Sequence, residues 1–264
     1  MLDWLELPGD ERTGPEGDLR EEAGRGRPAE ELVRSGERLY YEGEFAMAAR
    51  EFRNARNHDP TYFEAWAMEV DARLRAGDVP GADACATAAL NTYGKVAVFY
   101  AAKALVLAHQ GYIQAAYEHS DVSVKHEEAS VFTWLSRAEV VLSTQSPGTM
   151  RSVESCFQRA SRTDPTRWRV KFRAALCLLQ WGQVERALER LSQVAELVPR
   201  SAFVQKMMGD CHRRLGHDGA AQQCYRLALS RRPDYAPALD ALASMTLWGR
   251  VRAGVGRLLG RRKK

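Results

Sequence analysis

Apolar and small positions along this chain recur three and four residues apart, the spacing that gathers them on one face of a helix. The pattern is plainest from Ala202 to Pro233, AFVQKMMGDCHRRLGHDGAAQQCYRLALSRRP, which reads as two short helices about a tight turn. Met208 and Gly209 fall in the first helix and Gly216 in the turn. Ala221, Tyr225 and Ala228 fall in the second, which Pro233 stops. Small residues at Gly209, Ala221 and Ala228 let the two helices approach closely, and Tyr225 fills the space between them.

The same pattern lies 34 residues upstream, where Pro199 closes a stretch carrying Ala175, Gly182, Ala187 and Leu191. Another 34 back, Pro165 follows Phe157 and Ala160. Near the start, Gly36, Leu39, Gly43, Ala48, Phe52, Ala55 and Pro60 hold the equivalent places. This resembles the tetratricopeptide repeat, a helix–turn–helix unit of about 34 residues with Leu-Gly, Tyr, Ala, Phe and Pro at set positions.

Six copies follow in register, at 29–62, 63–96, 97–130, 131–167, 168–201 and 202–235, and the resemblance spans about 205 of the 264 residues. The second copy has Ala86 and Gly94, and the third Ser120 and Glu128, where an aromatic and Pro are usual. In the fourth, TQSPGTMRS lengthens the internal turn by three residues, with Pro147-Gly148 marking the loop. APALDALASMTLW supplies a capping helix at 236–248. The resemblance therefore implies an all-α protein, a right-handed α-solenoid of about six repeats with a C-terminal cap. Such a fold offers a concave groove and does not in itself imply chemistry.

In the family the first helix of each pair lines that groove. Carried over by register, the groove comprises Tyr40 and Tyr41, then Leu105 and His109, then Phe132 and Leu135, then Arg169, Phe172 and Arg173, and finally Lys206, Arg213 and Arg214. It runs from mixed and acidic through apolar to basic. Arginine binds carboxylates through paired hydrogen bonds, so the expected partner is a protein or peptide with apolar anchors and carboxylates. The alternative is that these arginines only solvate a helix face. A clamp for chaperone C-termini, another use of the family, is not expected, because Val33, Glu37 and Met68 stand where its Lys and Asn residues would.

Charge alters the picture at both ends. The 16 residues from Gly249 carry seven basic residues and no acid; without them 31 basic face 34 acidic residues, so the net +4 resides there. Arg250, Arg252, Arg257, Arg261 and Arg262 lie among apolar residues that include Leu258 and Leu259, a basic amphipathic pattern. Its four glycines each cost roughly 1 kcal/mol in a helix, so order there depends on contact. An anionic membrane surface and nucleic-acid phosphate both reward such order, and a solvated tail is the third reading. The apolar stripe favours a membrane over nucleic acid. Residues 1–28 read as a disordered acidic leader rich in Gly and Pro, apart from the apolar cluster Leu2, Trp4, Leu5 and Leu7.

Candidate chemistry is sparse. Five cysteines form no C-x-x-C pair and read as buried free thiols. Six scattered histidines match no metal or catalytic motif, and no phosphate or dinucleotide fingerprint occurs. The chain is therefore expected to be non-enzymatic, without cofactor or metal. No secretory signal or membrane-length apolar run is present, so a cytoplasmic protein is the expectation.

Overall fold

In the computed structural model the described residues are 28–127, 129–146, 148–163 and 167–245. They form helices in pairs: α1 (Ala29–Glu42) with α2 (Phe45–His58), α3 (Phe63–Arg75) with α4 (Val79–Tyr93), and α5 (Ala97–His109) with α6 (Ile113–Lys125). α7 (Val131–Ser143) pairs with α8 (Met150–Thr163), α9 (Arg167–Gln180) with α10 (Val184–Leu197), and α11 (Ala202–Arg214) with α12 (Asp218–Arg231). A further helical stretch covers 236–245. The architecture is an all-α solenoid, with no strand among the described residues. No described helix is long and apolar enough to cross a membrane.

Local chemistry sets the helix ends. Asp78 accepts a hydrogen bond from the Gly81 amide at 2.9 Å and caps α4, while the Ser201 hydroxyl caps α11 by accepting from Val204 at 3.2 Å. Each satisfies an amide that the helix itself leaves unpaired. Between α7 and α8 the longer connection places Gln145 at φ 50° and Gly148 at φ 84°.

Small residues decide how closely the helices of a pair approach. A Cβ added to Gly209 would lie 2.5 Å from the Tyr225 ring, so α11 and α12 touch at a distance only glycine permits. Tyr225 and Phe52 are fully buried at equivalent places in the sixth and first pairs. Along the stack, α3, α5, α7 and α9 also pack on one another in sequence, forming an inner layer of first helices.

The inner layer curls far enough for its ends to meet. Tyr41 of α1 packs edge-on against Trp168 and Phe172 of α9, with ring centroids 4.8 and 5.4 Å apart. Phe45 meets Phe203 of α11 at 5.9 Å, and Phe203 meets Phe172 at 5.9 Å. Gly43, at φ 86°, sits so near this cluster that a Cβ would fall 2.5 Å from the Phe203 ring. The first repeat thus packs on the fifth and sixth, and one apolar cluster runs through α1 to α5 and on to α11.

Candidate functional site

The trough expected along the first helices is filled by the chain itself. Tyr40, Leu105, Phe132, Leu135 and Phe172 are all buried. Five aromatic rings bury more apolar surface against one another than they would lining open water, and their edge-to-face packing adds to that gain. The inner apolar stripe therefore serves as core.

The arginines of the inner layer are paired inside the chain. Asp71 accepts hydrogen bonds from the Tyr40 hydroxyl at 2.8 Å, from Arg75 Nε at 3.0 Å and from Arg173 at 3.3 Å. Glu139 faces Arg75 at 3.2 Å and His109 Nε2 at 2.9 Å. Arg169 grips both oxygens of Glu37, at 3.1 and 3.2 Å. These contacts join α1, α3, α5, α7 and α9. The carboxylates expected from a partner are here supplied by Glu37, Asp71 and Glu139.

The electrostatics follow from burial. The Arg173 side chain is 12% exposed and packs over the Phe132 ring at 5.4 Å. Desolvation opposes its charge, but Asp71 together with Tyr40, Tyr41 and Cys177 outweighs that and its pKa rises. Burial and the Asp71 charge together push the Tyr40 hydroxyl far above its usual range. For Glu139 burial acts upward, yet Arg75 and His109 prevail and hold the carboxyl well below the ordinary carboxylate range. Glu37 goes the other way, its pKa raised because desolvation exceeds the attraction of Arg169.

Three groove candidates remain at the surface. Lys206 pairs with Asp210 one turn on at 2.7 Å. Arg213 and Arg214 are exposed at the end of α11, with Arg213 donating to the Ser244 hydroxyl at 3.4 Å. Among the described residues no three of His, Cys, Asp and Glu converge as a metal site would require. The His212 and His217 rings lie with centroids 5.9 Å apart and planes tilted by 47°. All five cysteines are free, and burial lifts the Cys85 thiol to about 12 and Cys211 to about 11. Tail candidates Arg250, Arg252, Arg257, Leu258, Leu259, Arg261 and Arg262 lie outside the described residues, as do the leader and the last three residues of the cap.

Register arguments missed a second arginine cluster, on the outer side. A cleft of about 460 Å³ between α6, α7 and α8 is lined by Trp134, Arg137, Arg151, Ser152, Ser155 and Arg159 among others. The Arg159 guanidinium lies over Trp134 at 4.7 Å and that of Arg137 over Tyr117 at 4.6 Å. Arg137 also approaches Asp121 at 2.7 Å. The sequence signal was Arg151, Ser155 and Arg159, four residues apart on one face of α8.

No family model matches the chain, and no curated protein matches it either. Many solved structures are similar, tetratricopeptide repeat proteins among them. A tetratricopeptide repeat protein from Parabacteroides merdae is 14% identical, with TM-score 0.49 over 87% of this chain and 91% of its own. The thermophilic repeat protein TTC0263 of Thermus thermophilus is 18% identical, with TM-score 0.47 over 83% and 99%. Against the Cut9–Hcn1 hetero-tetramer of the APC/C the values are 17% and 0.47 over 82% of this chain, which spans 42% of the matched one.

Proposed function

We propose that the chain is a non-enzymatic scaffold or adaptor that binds a protein or peptide partner carrying carboxylates. A stack of helical pairs buries one side of each helix on its neighbours and presents the other side, giving much surface for its length. The observation that carries the placement is at the end of α11. There Arg213 and Arg214 stay exposed, while Arg169 and Arg173 are engaged by Glu37 and Asp71. Exposed guanidinium forks match carboxylates bidentately, whereas Lys206 on the same helix is already paired with Asp210. Partner apolar anchors would then dock beside this basic edge.

The test is affinity capture from native extract with the full chain against an Arg213→Glu, Arg214→Glu double variant shown to be folded by circular dichroism. The reading requires a defined set of proteins kept by the wild type and lost by the variant. Equal capture by both would remove the basic edge as the docking surface. The tail reading separates in the same experiment, since deleting 249–264 would abolish binding to anionic vesicles while leaving protein capture unchanged.

A further inference from the structure

We infer that the outer cleft between α6, α7 and α8 is a binding site for a phosphomonoester. None of its lining residues is acidic, and three of them are arginines, Arg137, Arg151 and Arg159. Arginines gathered in a concave site repel one another unless an anion enters, so their grouping there points to an anionic ligand. Arg137 is paired with Asp121, as Arg75, Arg169, Arg173 and Arg190 are each paired with a carboxylate of the chain, whereas Arg151 and Arg159 form no ion pair among the described residues.

The site is also held in shape. The Arg159 guanidinium lies over the Trp134 indole at 4.7 Å. Arg137 is fixed between the Tyr117 ring at 4.6 Å and Asp121 at 2.7 Å. Both forks are thus positioned before a ligand arrives, which lowers the ordering cost of binding. Arg151, exposed on the first turn of α8, is the third arm, and Asp121 cancels only one of the three charges.

Donor number selects phosphate over carboxylate. A carboxylate offers two oxygens to guanidinium forks, whereas a phosphomonoester offers three terminal oxygens and close to two negative charges near neutral pH. The forks of Arg151 and Arg159, the Arg137 group beside Asp121 and the hydroxyls of Ser152 and Ser155 match the larger acceptor set. The cleft volume of about 460 Å³ exceeds what a bare ion fills and leaves room for the group that carries the phosphate.

Isothermal titration calorimetry on the full chain at fixed ionic strength tests this, with O-phospho-L-serine, adenosine 5′-monophosphate, inorganic phosphate and acetate as separate titrants. The expected result is saturable binding of at least one phosphomonoester, with acetate at least tenfold weaker. Binding should fall tenfold or more in Arg151→Ala, Arg159→Ala. Should removal of Arg159 unfold the chain, Arg151→Glu serves instead, because an acidic residue suits the first turn of a helix. Tighter binding of phosphoserine than of the nucleotide assigns the site to phosphorylated protein, and the reverse order to nucleotides. Absence of saturable binding overturns the proposal. So does equal affinity in the folded variant, which would place the anion on other arginines. The scaffold reading does not depend on either result, since Arg213 and Arg214 lie on a different pair of helices.

Discussion

The inner layer and the outer cleft of the fourth repeat are both rich in arginine, and both draw their arginines from more than one helix. In the inner layer three guanidinium groups meet carboxylates from distant repeats: Arg173 with Asp71, Arg169 with Glu37 and Arg75 with Glu139. In the cleft Arg151 and Arg159 stand two turns apart on one face of α8, with no acidic residue in the lining. Burial explains the contrast. A charge taken out of water costs several kcal/mol unless a partner compensates it, and a charge at a water-filled cleft carries no such cost. Buried arginines therefore hold this fold together, and only the others remain free to bind.

The sharpest way to break that comparison is Asp71→Ala. Three donors, on Tyr40, Arg75 and Arg173, lose their shared acceptor while two positive charges stay in the interior. Removing one partner of a buried ion pair costs about 3–5 kcal/mol. Urea unfolding followed by circular dichroism should show a loss of that size. A loss below about 1 kcal/mol would mean that water reaches Asp71 and that the inner layer is a wet groove after all.

Next in size is a pair of glycine substitutions that isolates the meeting of the first and last repeats. Gly43 and Gly77 occupy the same turn position, with φ 86° and 82°. Alanine at either is strained by roughly 1–2 kcal/mol in this left-handed conformation. Only at Gly43 would the new methyl also strike the Phe203 ring, whereas nothing lies within 4 Å of Gly77. Overpacking adds about 1–3 kcal/mol, so Gly43→Ala should be the more costly by at least about 1 kcal/mol in the same unfolding assay. Equal costs would show that α1 and α11 are not in contact in solution.

The repeat period, the turn glycines and the Gly209–Tyr225 contact were legible in the sequence because each is local to some 34 residues. Which side of the first helices stays open was not. That depends on how far each repeat rotates on the last, a small angle summed over five interfaces, and Asp71 and Arg173 are 102 residues apart. One local signal did point to closure. α5 reads AVFYAAKALVLAH, apolar nearly all round, and a helix of that composition is buried on every side. Complementary charge at matched inner positions, Glu37 in the first copy with Arg169 in the fifth, was a second. The cleft escaped because Arg151, Ser152, Ser155 and Arg159 lie on a second helix, α8, and only Trp134 and Arg137 on the first helix α7, to which family register directs attention.

The smallest expected effect carries the opposite sign and so separates the two arginine classes most cleanly. Arg151 stands in the first turn of α8, which contains no acidic residue. Four unpaired amides at a helix start attract negative charge and disfavour positive charge. Arg151→Glu replaces an unfavourable end charge with a favourable one and sets a carboxylate beside Arg137 and Arg159 in the cleft. The stability change should be zero to about 1 kcal/mol in the stabilising direction, the usual range for end charges. A measured loss of 2 kcal/mol or more would mean that Arg151 is already paired within the fold, and the cleft would then belong with the inner layer as structure. A neutral or positive change joined to lost phosphate binding would instead mean that the fold tolerates this arginine, at a small cost in stability, for the sake of what it binds.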